Sequence, residues 1–148
     1  MIFEALRPEQ WPLIQSSEAC PKPCADTRGI LAVEDGHIKA FCVFDSWTRT
    51  SVQAHIHIEN PMVIRRGFLH EIARYVFKDC DRRVMIGLVP EDFDHALRFN
   101  RRIGFEEVCT IPDAYDVGIG YVVMKMTRES CRWLEAPNGR KEQRTAAA

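Results

Sequence analysis

Four polar side chains stand at alternate places along one short stretch: Gln53, His55, His57 and Glu59. Val52, Ala54, Ile56 and Ile58 fill the places beside them. A period of two sends the two sets to opposite faces of an extended strand. A strand buried on both faces is apolar throughout, so this one either shows a face to solvent or lines a cleft. In a cleft, His57 or Glu59 is placed to take a proton from a reacting group, directly or through a water. Directly after the row come Asn60, Pro61, Arg65, Arg66 and Gly67. Then Phe68, Leu69, Ile72, Ala73, Val76 and Phe77 recur with helical spacing. A strand that passes through a glycine-bearing turn into a helix offers backbone N–H groups and the positive end of a helix dipole. That is the equipment for holding a phosphate. Arg65, Arg66, Gly67, Phe68, Leu69 and His70 are the candidates. The plainer reading has Asn60 capping a helix with Pro61 at its first position. It would put a glycine inside the helix at a cost of about 1 kcal/mol, which favours the turn.

The elements that must position these residues lie on both sides. Residues 2–6 read as a short strand, 8–14 as a brief helix limited by Pro12, and 16–27 as a loop holding Cys20, Pro21, Pro23 and Cys24. Residues 29–33 and 38–44 read as strands joined by Glu34-Asp35-Gly36, a tight hairpin signal. With 52–58 they predict an antiparallel meander. A helix over about 66–78 follows, then Val84-Met85-Ile86-Gly87-Leu88-Val89, a continuous apolar run that suits a strand buried on both faces. Strand, helix, strand is a right-handed crossover, so the two strands should run parallel. Residues 92–103 read as a second helix with Gly104 at its end. Phe93, Ala96, Leu97, Asn100 and Ile103 share its face, and Asn100 there needs a partner if buried. Residues 105–111 and 120–127 read as strands around a loop over 112–118. The fold class is α/β with a mixed sheet.

The length, 148 residues, suits one domain over 1–134, with a polar tail over 135–148 expected to be disordered. Apolar content of 46% and charged content of 28% are those of a soluble globular protein. A net charge of −1 provides no strong field for nucleic acid or anionic lipid. No apolar run approaches the roughly 20 residues of a membrane span, and the first residues lack a signal-peptide pattern. A reducing, cytoplasmic setting follows. Cys20 and Cys24 form the one close pair among six cysteines, and no second pair or short-spaced histidines complete a zinc site. Reduced thiols and no metal are the expectation.

Three pieces in order resemble the GCN5-related N-acetyltransferase (GNAT) family. They are the strand-turn-helix with Arg66-Gly67-Phe68-Leu69, the helix end Ala96-Leu97-Arg98-Phe99-Asn100-Arg101-Arg102-Ile103-Gly104-Phe105, and the strand hairpin after it. The resemblance covers roughly residues 29–127. It implies a mixed, mostly antiparallel sheet flanked by helices, and transfer of an acetyl group from acetyl-CoA to an amine by direct attack. It further implies that the pyrophosphate lies on the Arg65–His70 stretch. The pantetheine arm would pair with backbone near His57, Ile58, Leu88 and Val89. Glu59 or His57 would deprotonate the amine. Leu69 stands where the family has glycine or alanine, Phe93 where it has asparagine, and Asn100 where it often has the tyrosine that protonates the leaving thiolate. Asn100 would touch the sulfur or bond nearby backbone, and Tyr115, beside Asp113 and Asp116, is the candidate substitute acid. The acceptor would be an amine-bearing small molecule or protein, with no membrane or nucleic acid involved; a homodimer is compatible. Residues 127–134 also resemble the ending of acetyltransferase-like proteins of tailed phages. That implies a phage-infected or lysogenic host, or a virion. The alternative function is a non-catalytic GNAT-fold binding or virion-associated protein.

Overall fold

The computed structural model describes residues 1–135. Seven strands form one sheet in the order β1-β2-β3-β4-β5-β7-β6. β1 (Ile2–Ala5), β2 (Arg28–Glu34), β3 (His37–Asp45) and β4 (Ser51–Ile58) are an antiparallel meander. The β2–β3 hairpin turns on Asp35 and Gly36, both at positive φ (51° and 75°), the backbone twist that a two-residue hairpin needs. β5 (Val84–Pro90) returns parallel to β4, and β7 (Ile119–Thr127) and β6 (Glu106–Asp116) extend the sheet antiparallel. This is the mixed, mostly antiparallel sheet that the sequence predicts. Apart from Glu135, the tail expected to be disordered lies outside the described residues.

One face of the sheet carries the main core. Cys42, Phe44, Val52, Ala54, Met85, Met124 and Met126 meet Phe68, Leu69, Ile72, Val76 and Phe77 from the helical stripe and Leu97 and Ile103 from the later helix. Each fully buried aliphatic or aromatic side chain contributes about 1.5–3 kcal/mol. Among the described residues, the other face is covered over its first strands only. Ile14, Leu31, Phe41 and Val43 pack there with Leu6, Trp11, Ala19 and Cys20, beneath α1 (Trp11–Ile14) and the loop that follows it. Val43 and Phe41 pair in register with His55 and His57. The covered half therefore ends where β4 begins to show its polar row.

Four expectations need correction. The helix expected over about 66–78 begins only at Phe68, after a separate short helix. α2 (Met62–Arg65) forms first, with the Met62 amide donating to Asn60 Oδ1 at 2.9 Å; Gly67 then takes φ +99°, and α3 (Phe68–Ala73) continues as a π-helical stretch over Arg74–Asp79. The Arg66 and Gly67 amides close α2 onto Met62 and Ile64 carbonyls, both at 3.1 Å. Left-handed backbone ends a helix and is cheap at glycine, so Gly67 is a junction and not an interior residue. The loop over 112–118 is mostly strand: β6 runs on to Asp116, leaving Val117 and Gly118 as the turn. A register irregularity between Ile111 and Asp116 absorbs Pro112 and Asp113, which an edge strand tolerates because one side of its backbone needs no partner. β5 is not buried on both faces. Met85, Gly87 and Val89 are buried while Val84, Ile86 and Leu88 are half-buried, because helices cover only one side of this half of the sheet. Finally, α4 (Asp94–Ile103) starts two positions later than the 92 expected, with Gly104 at φ +112° ending it.

Candidate active site

β4 and β5 pair only at Ser51–Val84, Val52–Met85 and Gln53–Ile86. Beyond those pairs β4 stays bonded to β3 as far as Ile58, and β5 to β7 as far as Pro90. The ladder between them stops mid-sheet while both outer ladders continue. The backbone groups of residues 54–58 and 87–90 that face this gap have no sheet partner across it. Unpaired backbone of this kind can accept an extended, amide-bearing chain as an added strand. On the helical side of the gap lies an apolar cavity of about 10 Å³, bordered by Ile56, Leu69, Met85, Ile103 and Trp133 among others. That volume holds about one water.

On the other side of the gap stands the polar row. Gln53, His55 and His57 are half-buried, and Glu59 is exposed just past the strand, its amide donating to the Lys39 carbonyl at 3.3 Å. His57 lies nearly flat on Phe41, ring centroids 5.2 Å apart. His55 Nε2 lies 3.1 Å from Asp45 Oδ1, and the two side chains are only 20% and 14% exposed. Burial pushes the neighbouring Cys42 thiol well up, opposed by a hydrogen bond from the His55 backbone. Alternation and register place Ile86, Leu88, Val123 and Tyr121 on the same face as the row.

At the mouth of the gap, α3 opens with the amides of Phe68, Leu69 and His70. First-turn amides have no partner within their own helix, whereas those of Arg66 and Gly67 are spent on α2. The Phe68 and Leu69 side chains are buried in the core, and Arg65 and Arg66 are exposed. His70 is half-buried; its Nδ1 donates to the Trp133 carbonyl at 2.7 Å. Asn100 is half-buried on α4, and its backbone carbonyl accepts the Phe105 amide at 2.9 Å.

Of the residues singled out in the sequence, His57 and Ile58 sit on one rim of the gap, Leu88 and Val89 on the other, and Phe68, Leu69 and His70 just beyond β4. Tyr115 stands apart. It lies on β6, separated from β4 by β5 and β7, and packs edge-on against Phe93 and Tyr121 at 5.7 and 5.5 Å. Sequence reasoning missed two features. Asp45 falls between the strands predicted over 38–44 and 52–58, so its pairing with His55 carries no signal beyond an acid near a polar row. Trp133 lies just before the polar tail predicted over 135–148, with no local pattern that assigns it a partner. Its Nε1 donates to the Ile103 carbonyl at 2.7 Å, strapping α4 to α3 through His70. An apolar Trp-Leu pair beside that tail was the available hint.

No family model and no curated protein matches the sequence. Solved structures do match in shape. A chimera of the spermidine N-acetyltransferase SpeG from Vibrio cholerae and hSSAT superposes with a TM-score of 0.74 at 11% identity, covering 91% of this chain and all of that one. A protein from Desulfovibrio desulfuricans assigned to the GNAT family gives 0.60 at 14% identity over 69% of each chain. The Campylobacter jejuni N-acetyltransferase PseH, in complex with acetyl coenzyme A, gives 0.53 at 16% identity, covering 71% of this chain and 70% of that one. At such identities the likeness is one of fold. The fold is the GNAT fold of these neighbours, a mixed, mostly antiparallel sheet flanked by helices.

Proposed function

We propose that this protein transfers an acetyl group from acetyl-CoA to an amine by direct attack. The observation that carries the reading is the parting of β4 from β5 after Gln53 and Ile86 in an otherwise continuous sheet. A pantetheine arm is an extended chain with two amides, and the free backbone of residues 54–58 and 87–90 is complementary to it. Phe68, Leu69 and His70 offer first-turn amides to a pyrophosphate, with Arg65 and Arg66 as nearby cations. In this reading Asn100 is assigned to the sulfur end, and Tyr115 returns a proton to it. The thioester supplies the activated acyl group. The chain's own residues orient it, and the row ending at Glu59 takes the proton that an amine must lose. The acetyl-CoA held by PseH and the spermidine named for SpeG support a thioester donor and an amine acceptor of this class. A phage or virion setting, and a homodimer, remain parts of this reading that rest on the sequence alone.

Two observations favour a second reading. The Arg66 and Gly67 amides are already used, and Leu69 fills space beside the gap. A GNAT-fold protein that binds without turnover would tolerate both. Titration with acetyl-CoA, followed by melting temperature and calorimetry, separates the outcomes. Saturable binding that weakens about tenfold in Arg66→Ala is expected. No shift at millimolar acetyl-CoA defeats the proposal, and binding without transfer to any amine supports the second reading.

A further inference from the structure

We propose that His55, held by Asp45, is the group that takes the proton from the incoming amine. This rests on the acyl-transfer reading above. The pair bridges β3 and β4, with Asp45 Oδ1 and His55 Nε2 at 3.1 Å and both side chains largely shielded from water. A carboxylate accepts only, so the ring nitrogen facing it carries the proton. Nδ1 is then left bare, as a base requires.

Position separates His55 from its neighbours in the row. Gln53 belongs to the last pair of the β4–β5 ladder. Alternation makes His55 the first member of the polar face beyond that pair, at the point where the strands part. His55 is also the register partner of Val43, which lies under the covering loop, so it stands at the edge of the open half of the sheet. Glu59 is exposed and past the end of β4, and the His57 ring is committed to the face of Phe41. Among the described residues, the titratable groups beside His55 on this face are Asp45 from β3 and His57 from its own strand; Ile86 and Leu88 from β5 are apolar, and Lys125, the register partner of Ile86, lies exposed one strand further on β7.

In the step assigned to it, the amine lone pair forms the new C–N bond with the acyl carbon. The electron pair of the C–S bond leaves with the sulfur. The surplus proton of the amine passes to His55 Nδ1 and on to solvent, and the sulfur takes a proton from Tyr115, which regains one from solvent. Asp45 stays ionised throughout. It is a positioning residue that holds the ring by the contact at Nε2.

Two measurements test this. Nitrogen-15 spectra of the imidazoles in the protein without ligand should show His55 as the Nε2–H tautomer at neutral pH, and Asp45→Asn should erode that preference. With acetyl-CoA as donor, spermidine and a short lysine peptide serve as acceptor probes, and release of the CoA thiol is followed. His55→Gln should lower kcat about 100-fold or more and flatten the acid limb of the pH profile. Asp45→Asn should lower kcat about tenfold, and both variants should keep acetyl-CoA affinity within about twofold, which also shows that they fold. Failure of the unaltered protein to bind acetyl-CoA overturns the acyl-transfer reading. Binding without transfer to either probe overturns this assignment, as does full activity in His55→Gln or an Nδ1–H tautomer, with the acetyl-CoA site left standing.

Discussion

Tyr75 shows how much a side chain's chemistry depends on what packs around it. Its ring lies 5.2 Å from Phe44 and 6.3 Å from Trp47, and burial, followed by a hydrogen bond with Cys80, pushes its phenol up to about 12. A raised phenol favours the neutral form in the fold. Its contribution to stability is complete below the unfolded value of about 10 and is lost as pH rises through the folded one. Of the three tyrosines, one should therefore ionise late in an alkaline titration followed by phenolate absorbance, and Tyr75→Phe should delete that late step. Three indistinguishable titrations near about 10 would show the reading wrong. The sequence offers Tyr75 only as a polar-edged residue on a helix. The same holds for His55: its place in the polar row was legible, but the acid that orients it comes from another strand.

At the scale of elements, the strands, the crossover and the Gly104 helix end follow from periodicity and turn chemistry. The C-terminal strap does not, because it is held by contacts distant in sequence. Arg132 lies over the Trp133 ring at 4.7 Å and donates to the Arg102 carbonyl, while Trp133 bonds to Ile103 and His70. These tie the first turn of α3 to the last of α4, next to the gap between β4 and β5. Trp133 is half-buried, so Trp133→Ala should cost about 2–3 kcal/mol, below the range for a fully buried tryptophan. Hydrogen exchange should rise at the start of α3 and the end of α4. Unchanged denaturation and exchange would mean that the strap merely rests on the surface. The long β6 edge was also misjudged, since a run rich in turn residues was converted to strand by the partner that β7 supplies. Its Pro112 and its acids, Glu106, Glu107, Asp113 and Asp116, make it a poor template for further strands.

For the whole molecule, the sheet is a wall with unequal cover. One face is packed by α3 and α4 around Phe44, which is fully buried. The other, among the described residues, is covered across its first strands and left open beyond β4. Phe44→Ala should lower unfolding free energy by about 3–5 kcal/mol, a large share of the about 5–15 kcal/mol of a typical domain. Chemical denaturation should show this as an earlier midpoint with an unchanged slope; a loss under about 1 kcal/mol would mean that the site collapses around the deletion.

By itself the sequence determined the alternation of β4, the apolar stripe of α3, the left-handed glycines and the order of elements, because each depends on residues within a few positions of one another. Tertiary structure decided the rest. It set where the β4–β5 ladder stops, which face of β5 stays half open, that Arg66 and Gly67 spend their amides on α2, and that Asp45 meets His55. Those outcomes depend on which strands become neighbours and on what covers them, and no local pattern encodes either.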